Sequence, residues 1–248
     1  MKQPLISIIT AVRNGQEHIE QTIQSVAGQT FTDFEHIVID GGSTDGTTEI
    51  IRRYEKKIAH YVSEPDRGIS DAFNKGVLAS RGSVILFLGS DDYLHDRTVL
   101  YRISTAMRDL RKPFFFYGDV NYIYENWTKL IHRNYTFKKF CRYDCLPHQA
   151  MFLDRYFFDR YGLFDLNYRY AMDYEHTARF IREYQPEYVD ILISGMRRRG
   201  VSSQPVQAHE EMDGIRLKHG LASRFGIALS RTVLHGKMGI ARLFNLNW

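Results

Sequence analysis

Four apolar runs, residues 5–10, 35–40, 60–63 and 84–88, are separated by stretches of helical periodicity, and no other feature of the chain limits its fold as strongly. Between the first two, Ile19, Ile23 and Val26 recur at helical spacing; Ile50, Ile51 and Tyr54 mark a second helix and residues 71–78 a third. Strands separated by helices at this spacing imply a mostly parallel sheet with right-handed crossovers, which gathers every strand C-terminus on one edge. Asp40, Glu64 and the pair Asp91-Asp92 all fall at that edge, where α/β proteins place their ligands. Two carboxylates leaving a buried strand suit a hard, oxygen-binding cation. Alone, Ser90-Asp91-Asp92 reads equally well as a solvated turn or a helix cap.

The pattern then changes. Residues 114–117 read as another strand, and 120–135 are rich in aromatic and β-branched residues around a turn at Glu125-Asn126. Such a segment favours antiparallel pairing beside the first sheet. Helical signals return at 155–161 and 174–184, with a last strand at 188–193. No internal repeat or flexible linker intervenes. The expected organisation is a nucleotide-binding half (1–110) fused to an acceptor-side half (111–213), followed by a basic extension (214–248). A chain of 248 residues with 44% hydrophobic content can bury a sizeable core, so disordered and fibrous classes are excluded. Cys141 and Cys145 have no second pair to complete a zinc site and read as reduced thiols. The first apolar run is too short to span a membrane and precedes no small-residue cleavage site, so a cytoplasmic location is expected.

The extension carries Arg216, Lys218, Arg224, Arg231, Lys237 and Arg242 and no acidic residue, mixed with Leu221, Phe225, Leu229, Val233 and Phe244. This mixture suits a helix lying on an anionic membrane surface, hence peripheral attachment. The competing reading is a helix packed on the core, and Gly226, Gly236 and Gly239 weaken any long helix. Nucleic acid is not expected, because no binding motif accompanies the charge. Arg197-Arg198-Arg199-Gly200 suits either a phosphate contact or a solvated loop.

Two nucleotide chemistries fail at their defining positions. The first strand is followed by Ala11-Val12-Arg13-Asn14-Gly15 instead of the glycine fingerprint of dinucleotide dehydrogenases, and no Walker lysine loop is present. An acidic sheet edge without either motif suits a nucleotide diphosphate that serves as leaving group.

Ser7-Ile8-Ile9-Thr10, the run from Val38 through Asp40-Gly41-Gly42-Ser43 to Thr47, Glu64-Pro65-Asp66-Arg67-Gly68, Asp71-Ala72-Phe73-Asn74-Lys75-Gly76 and Leu88-Gly89-Ser90-Asp91-Asp92 occur in order. Together they resemble family 2 glycosyltransferases of the GT-A fold, and are most similar to bacterial enzymes of colanic acid, capsule and O-antigen assembly. A weaker likeness continues through Pro147-His148-Gln149 to Asp173. The resemblance implies an α/β GT-A fold, a Rossmann-like, mostly parallel sheet with a smaller antiparallel acceptor-side region and a C-terminal helical tail. It implies an inverting transfer from a UDP- or GDP-sugar to a glycan or lipid-linked oligosaccharide, with Mg2+ or Mn2+ as cofactor.

The implied roles follow residue by residue. Asp40 corresponds to the aspartate that recognises the donor base, capping of the Gly41-Gly42 turn being its alternative. Thr10 and Arg13 stand near the donor, where Arg13 can meet phosphate. Asp71 and Lys75 belong beside the ribose and diphosphate, although their i, i+4 spacing also makes a surface ion pair. Asp91 and Asp92 fall at the D-x-D metal position, and Gly89 stands where many relatives carry Asp or Asn, which leaves open which of the two aspartates meets the metal. Asp173, in Ala171-Met172-Asp173-Tyr174-Glu175-His176, is the expected general base, with Glu175 in reserve. An N-cap role for Asp173 is compatible, since one carboxylate oxygen suffices to cap. His148 and Gln149 correspond to an acceptor-side pair. The alternatives of another class are a catalytically silent sugar-nucleotide-binding subunit and, more distantly, a nucleotidyltransferase.

Overall fold

The computed structural model describes residues 3–109, 113–142, 146–197, 205–229 and 231. Cys145, Arg198-Arg199-Gly200, Lys237, Arg242, Val233 and Phe244 lie outside the described residues. Strands β1 (Ile6–Val12), β2 (Phe34–Asp40), β3 (His60–Ser63) and β4 (Val84–Gly89) are joined by helices α1 (Ile19–Ala27), α2 (Thr47–Arg53) and α3 (Ile69–Ala79). They pair in parallel in the order β3-β2-β1-β4. Their ends are level: Val12 is opposite Asp40, Asp40 opposite Ser63, and Ala11 opposite Gly89. The order reverses between β1 and β4, which opens a crevice at their C-terminal ends.

The remaining strands extend this sheet. After β5 (Tyr93–Leu94) and α4 (Val99–Ala106) come β6 (Phe115–Ile123), β7 (Thr128–Ile131), α5 (Phe137–Phe140), β8 (Met151–Asp154), α6 (Tyr156–Tyr161), α7 (Met172–Ala178), β9 (Glu187–Arg197) and α8 (Pro205–Lys218). β8 runs antiparallel to β4 and β6, whereas β9 runs parallel to β6, so one mixed sheet continues across both halves. The β6–β7 hairpin turns at Glu125-Asn126, flanked by Tyr124 and Trp127 rings stacked 3.9 Å apart. The boundary expected at 213/214 falls inside α8, and the extension begins as part of a helix docked on α7.

Alternation along the central strands assigns the two faces of the core. Ile9, Ile37, Ile39, Ile85 and Phe87 face α3, α6, α7 and α8, whereas Ile6, Ile8, Val84, Leu86 and Leu88 face α1 and α4. Both faces are covered, which is why these strands read as continuous apolar runs. No helix among the described residues is long and apolar enough to cross a membrane.

Candidate active site

The loops after β1 and β2 are stitched to each other. Asn14, in the left-handed region at φ 52°, accepts from the Thr44 N–H at 2.9 Å through its side chain, while its own N–H donates to Ser43 Oγ at 2.7 Å. Gly15 N–H donates to Thr47 Oγ1 and Gln16 N–H to Asp45, so Asp45 serves the loops. Arg13 projects exposed from this frame, with no ion pair among the described residues.

Asp40 ends β2 fully buried, and its carboxylate accepts from the Ser43 N–H and the hydroxyls of Ser43 and Ser63. The following turn requires glycine twice over. A Cβ on Gly41 would stand 2.1 Å from the Asp66 carboxylate, and Gly42 has φ +77°. Thr10 is not brought to the edge: its hydroxyl lies inside the sheet, 3.0 Å from His36 Nε2, with no exposed surface. Its place on β1, two residues before the strand end, turns it into the interior.

On α3, Asp71 accepts from the Arg67 N–H at 3.1 Å and stands 3.7 Å from Lys75 Nζ. Lys75 binds Glu64 more closely, at 2.8 Å, and that hydrogen bond is the main cause of its raised pKa. The i, i+4 pair is therefore present but loose, and Glu64 is the lysine's principal partner.

The turn after β4 is fixed from several sides. Asp92 is 2% exposed; its carboxylate accepts from the Gly89 N–H at 3.0 Å, from the Arg197 N–H and from the Gln149 side chain. Burial, aided by neighbouring Asp91, pushes it up to about 7. A Cβ at Gly89 would meet Asp92 Oδ2 at 2.6 Å. Glycine at this position thus makes room for the Asp92 carboxylate to fold back over the strand end. Asp91 is more open, its carboxyl raised by burial, and no side chain donates to it among the described residues. Thr22 Oγ1, on α1, donates to the carbonyls of Ser90 and Asp92, and the Arg197 guanidinium donates to the Asp91 carbonyl and to Gln21. Thr22 belongs to no recognisable motif and only the folded turn reveals it, whereas Arg197, which opens the run Arg197-Arg198-Arg199-Gly200, is engaged by this turn.

Short bonds tie α3, beside this sheet edge, to the second half. Ser70, beside Asp71, donates to the Tyr168 carbonyl at 3.0 Å and contacts Met172 Sδ, while Asn74 exchanges two hydrogen bonds with the backbone of Phe164. Asp71 and Asp173 are thereby held on adjoining elements. His148 is stacked on Phe87 with centroids 4.6 Å apart; its Nε2 is buried without a partner, and burial depresses its pKa to about 3. It is a neutral ring in the aromatic core behind the turn, while Gln149 reaches Asp92.

Asp173 stands at the start of α7, half-buried, with Oδ1 accepting from the Tyr174 N–H at 2.8 Å. Burial pushes its carboxyl up to about 6, and the charge of Glu211 acts in the same direction. It lines a narrow recess with Phe140, Leu146, Met151, Tyr174 and Thr177. Glu175 is placed differently. Only 1% exposed, it is gripped by Arg179 Nε at 2.9 Å, Lys218 at 3.2 Å and His219 at 3.0 Å. Burial alone would raise its pKa, but the hydrogen bonds from these three side chains and the charge of Arg179 hold it below the ordinary range. Its chemistry is that of an anchor between α7 and α8.

Residues 7–184 match the family model described as glycosyl transferase family 2. The chain belongs to this family. Among relatives, a Mycobacterium bovis protein named PGL/p-HBAD biosynthesis glycosyltransferase is 29% identical over 246 residues, covering 93% of this chain and 91% of its own. Among solved structures, S. aureus TarS 1-349 in complex with UDP-GlcNAc superposes with a TM-score of 0.72 at 19% identity, over 91% of this chain and 69% of TarS. Mannosyltransferase PcManGT from Pyrobaculum calidifontis, in complex with GDP-Man and Mn2+, does so with a TM-score of 0.67 at 18% identity, over 95% of this chain and 71% of that one. The fold is that of the GT-A glycosyltransferases, and the family 2 chain is a glycosyltransferase.

Proposed function

We propose that this glycosyltransferase moves a sugar from a UDP- or GDP-sugar to a lipid-linked glycan of a bacterial surface polysaccharide, with inversion, using Asp173 as general base and a divalent cation at Asp91. The observation that carries this reading is the state of Asp173. Ala171 and not Asp173 is the N-cap of α7; one Asp173 oxygen accepts from the Tyr174 N–H while the other has no side-chain donor among the described residues, in a recess tied to the sheet edge through α3. In the transfer, the acceptor hydroxyl oxygen bonds to the anomeric carbon, the bond from that carbon to the diphosphate breaks, and its electron pair leaves with the diphosphate. Asp173 takes the hydroxyl proton. Arg13, free of ion pairs among the described residues, is assigned to the diphosphate.

The donor set at the β4 turn fits a hard cation. Among the described residues no group of three or more His, Cys, Asp or Glu side chains forms a closed cage, and an ion shared between one or two carboxylates and a diphosphate needs none. Asp91 offers oxygens without a side-chain donor, whereas those of Asp92 are already engaged by Gly89, Arg197 and Gln149. Asp91 is therefore assigned as the direct ligand and Asp92 as its support. Bound there, Mg2+ or Mn2+ would offset the charge that builds on the leaving diphosphate. Asp40, engaged by Ser43 and Ser63, is assigned a carboxylate held in place for the donor base.

A thermal-shift panel of UDP- and GDP-sugars with and without Mn2+ tests the donor reading, because a ligand that binds the native state raises its stability by mass action. Members of one nucleotide series are expected to raise Tm only when Mn2+ is present. No shift across the panel would overturn the assignment.

The extension is assigned to an anionic membrane surface. Phe225 and Leu229, one helical turn apart, are 79% and 58% exposed beside the exposed Arg224. Apolar insertion and attraction worth about 1 kcal/mol per basic residue near the surface would hold the protein there, less firmly as salt rises. Phe225→Asp combined with Leu229→Asp changes exposed side chains only. This variant is expected to lose flotation with phosphatidylglycerol-containing liposomes, while the native chain floats at low salt. Equal flotation of both, or of neither, would remove the membrane assignment.

A further inference from the structure

We propose that Glu211, on α8, is the positioning residue for the base: its carboxylate grips three consecutive backbone N–H groups ahead of α7 and so fixes where Asp173 stands. Oε1 accepts from the Arg169 N–H at 2.8 Å, and Oε2 accepts from the Tyr170 N–H at 2.7 Å and the Ala171 N–H at 2.8 Å. Ala171 is the residue from which α7 starts, and Asp173 is two residues further on. The inference rests on Asp173 being the base.

A carboxylate suits this task for a chemical reason. Converging N–H donors need an acceptor with two oxygens and no hydrogen of its own, and an ionised carboxylate is the side chain that provides one. A Gln side chain would turn an amide N–H toward one of the three donors. The reach from α8 is itself fixed in the opposite direction. Glu175, on α7, holds Lys218 and His219 at the end of α8, while Met212, Ile215 and Leu221 enter the core. Each element thus gives the other a carboxylate. α8 becomes part of the wall that sets the base, whatever the chain beyond it does.

Glu211 also acts on Asp173 through its charge. Asp165, Arg169, Glu175, His176, Arg179, Lys218 and His219 are gathered at the same corner, but Arg179, Lys218 and His219 engage Glu175, and His176 bonds to the Gly162 carbonyl. Asp165 is capped by the Asn167 N–H with Lys218 nearby. The charged neighbour that raises Asp173 is Glu211.

The test measures amide hydrogen exchange at 169–171 and the carboxyl titration of Asp173 by carbon-detected NMR, in native protein, Glu211→Gln and Glu211→Ala. It adds transfer of radiolabelled sugar from the donor found by thermal shift into a total lipid extract. Glu211→Gln is expected to lower the Asp173 midpoint, and Glu211→Ala to speed exchange at 169–171. In both, transfer should fall about tenfold or more with donor affinity unchanged, since small misplacements of a reacting group cost rate far more than binding. Should Glu211→Ala not fold, Glu211→Gln decides alone. Unchanged exchange together with an unchanged Asp173 midpoint in Glu211→Gln would overturn the proposal. Normal transfer by Asp173→Asn would instead remove the base assignment, so the two failures are distinguishable.

Discussion

Replacing Asp173 with Asn is expected to lower sugar transfer by about 10²- to 10⁴-fold, the usual value of general-base assistance, while donor affinity barely moves. The asymmetry follows from the assigned roles: as base, Asp173 would act on the acceptor hydroxyl, whereas the donor contacts are assigned to Arg13, Asp40 and Asp91 at the sheet edge. The native enzyme should also show an acid limb. A base works only when ionised, so with the carboxyl pushed up to about 6 the rate should rise about tenfold per pH unit below 6 and level off above it. Asp173→Asn should flatten that limb. A folding defect would not imitate this result. Because burial raises the folded-state pKa of Asp173, its stability contribution is fully present at low pH and is lost as pH rises through about 6. Removing the ionisable group should therefore leave the fold at least as stable at pH 8. Transfer into a lipid extract, with donor affinity measured by calorimetry on the same samples, checks the expectation. Near-normal transfer would sink the base assignment, and loss of transfer in Glu175→Gln with native helix content would move it to Glu175.

The parts of this site that were legible in the sequence are those in which buried strands end on acidic or glycine-rich turns. β1, β2 and β4 are covered on both faces, so their runs are largely apolar, and the acidic or glycine-rich turns follow where each strand leaves the sheet. Signals failed where packing, not local pattern, made the decision. Residues 114–117 and 120–135 read as separate pieces, yet β6 runs unbroken through Gly118. A Cβ there would stand 2.4 Å from the Ile191 carbonyl oxygen, so the glycine serves the close approach of β9 where the register shifts. β5 and β8 are too short to show a period, and β8 is recognisable only by its pairing with β4 and β6. The sequence places both Thr10 and Arg13 near the donor, just beyond the first strand, but Thr10 lies within β1 and turns toward His36, and only Arg13 stands in the open loop. Glu211 had no signal at all: its partners are backbone N–H groups about forty residues away, and a backbone donor leaves no mark in the residue types.

Metal-dependent nucleotide binding is expected to vanish in Asp91→Asn and to weaken by about 10- to 100-fold in Asp92→Asn, the range typical of a partner behind a metal ligand. The difference comes from how the two carboxylates are used. Asp91 has no side-chain donor among the described residues, and its exchange for an amide removes the oxygen charge a hard cation requires. Asp92 is committed to the Gly89 and Arg197 N–H groups and to Gln149, so an amide there disturbs the turn that presents Asp91 without removing the ligand itself. Gly89 bears on the same point. A side chain at 89 would collide with Asp92 Oδ2, so Gly89→Asp is expected to behave like Asp92→Asn and not to supply a second ligand. Titration calorimetry of UDP and GDP, with and without Mn2+, separates these cases once thermal unfolding shows each variant to be folded. Unchanged metal-dependent binding in the Asp91→Asn, Asp92→Asn double variant would exclude both residues from the metal site, and complete loss in Asp92→Asn with binding retained in Asp91→Asn would exchange their roles.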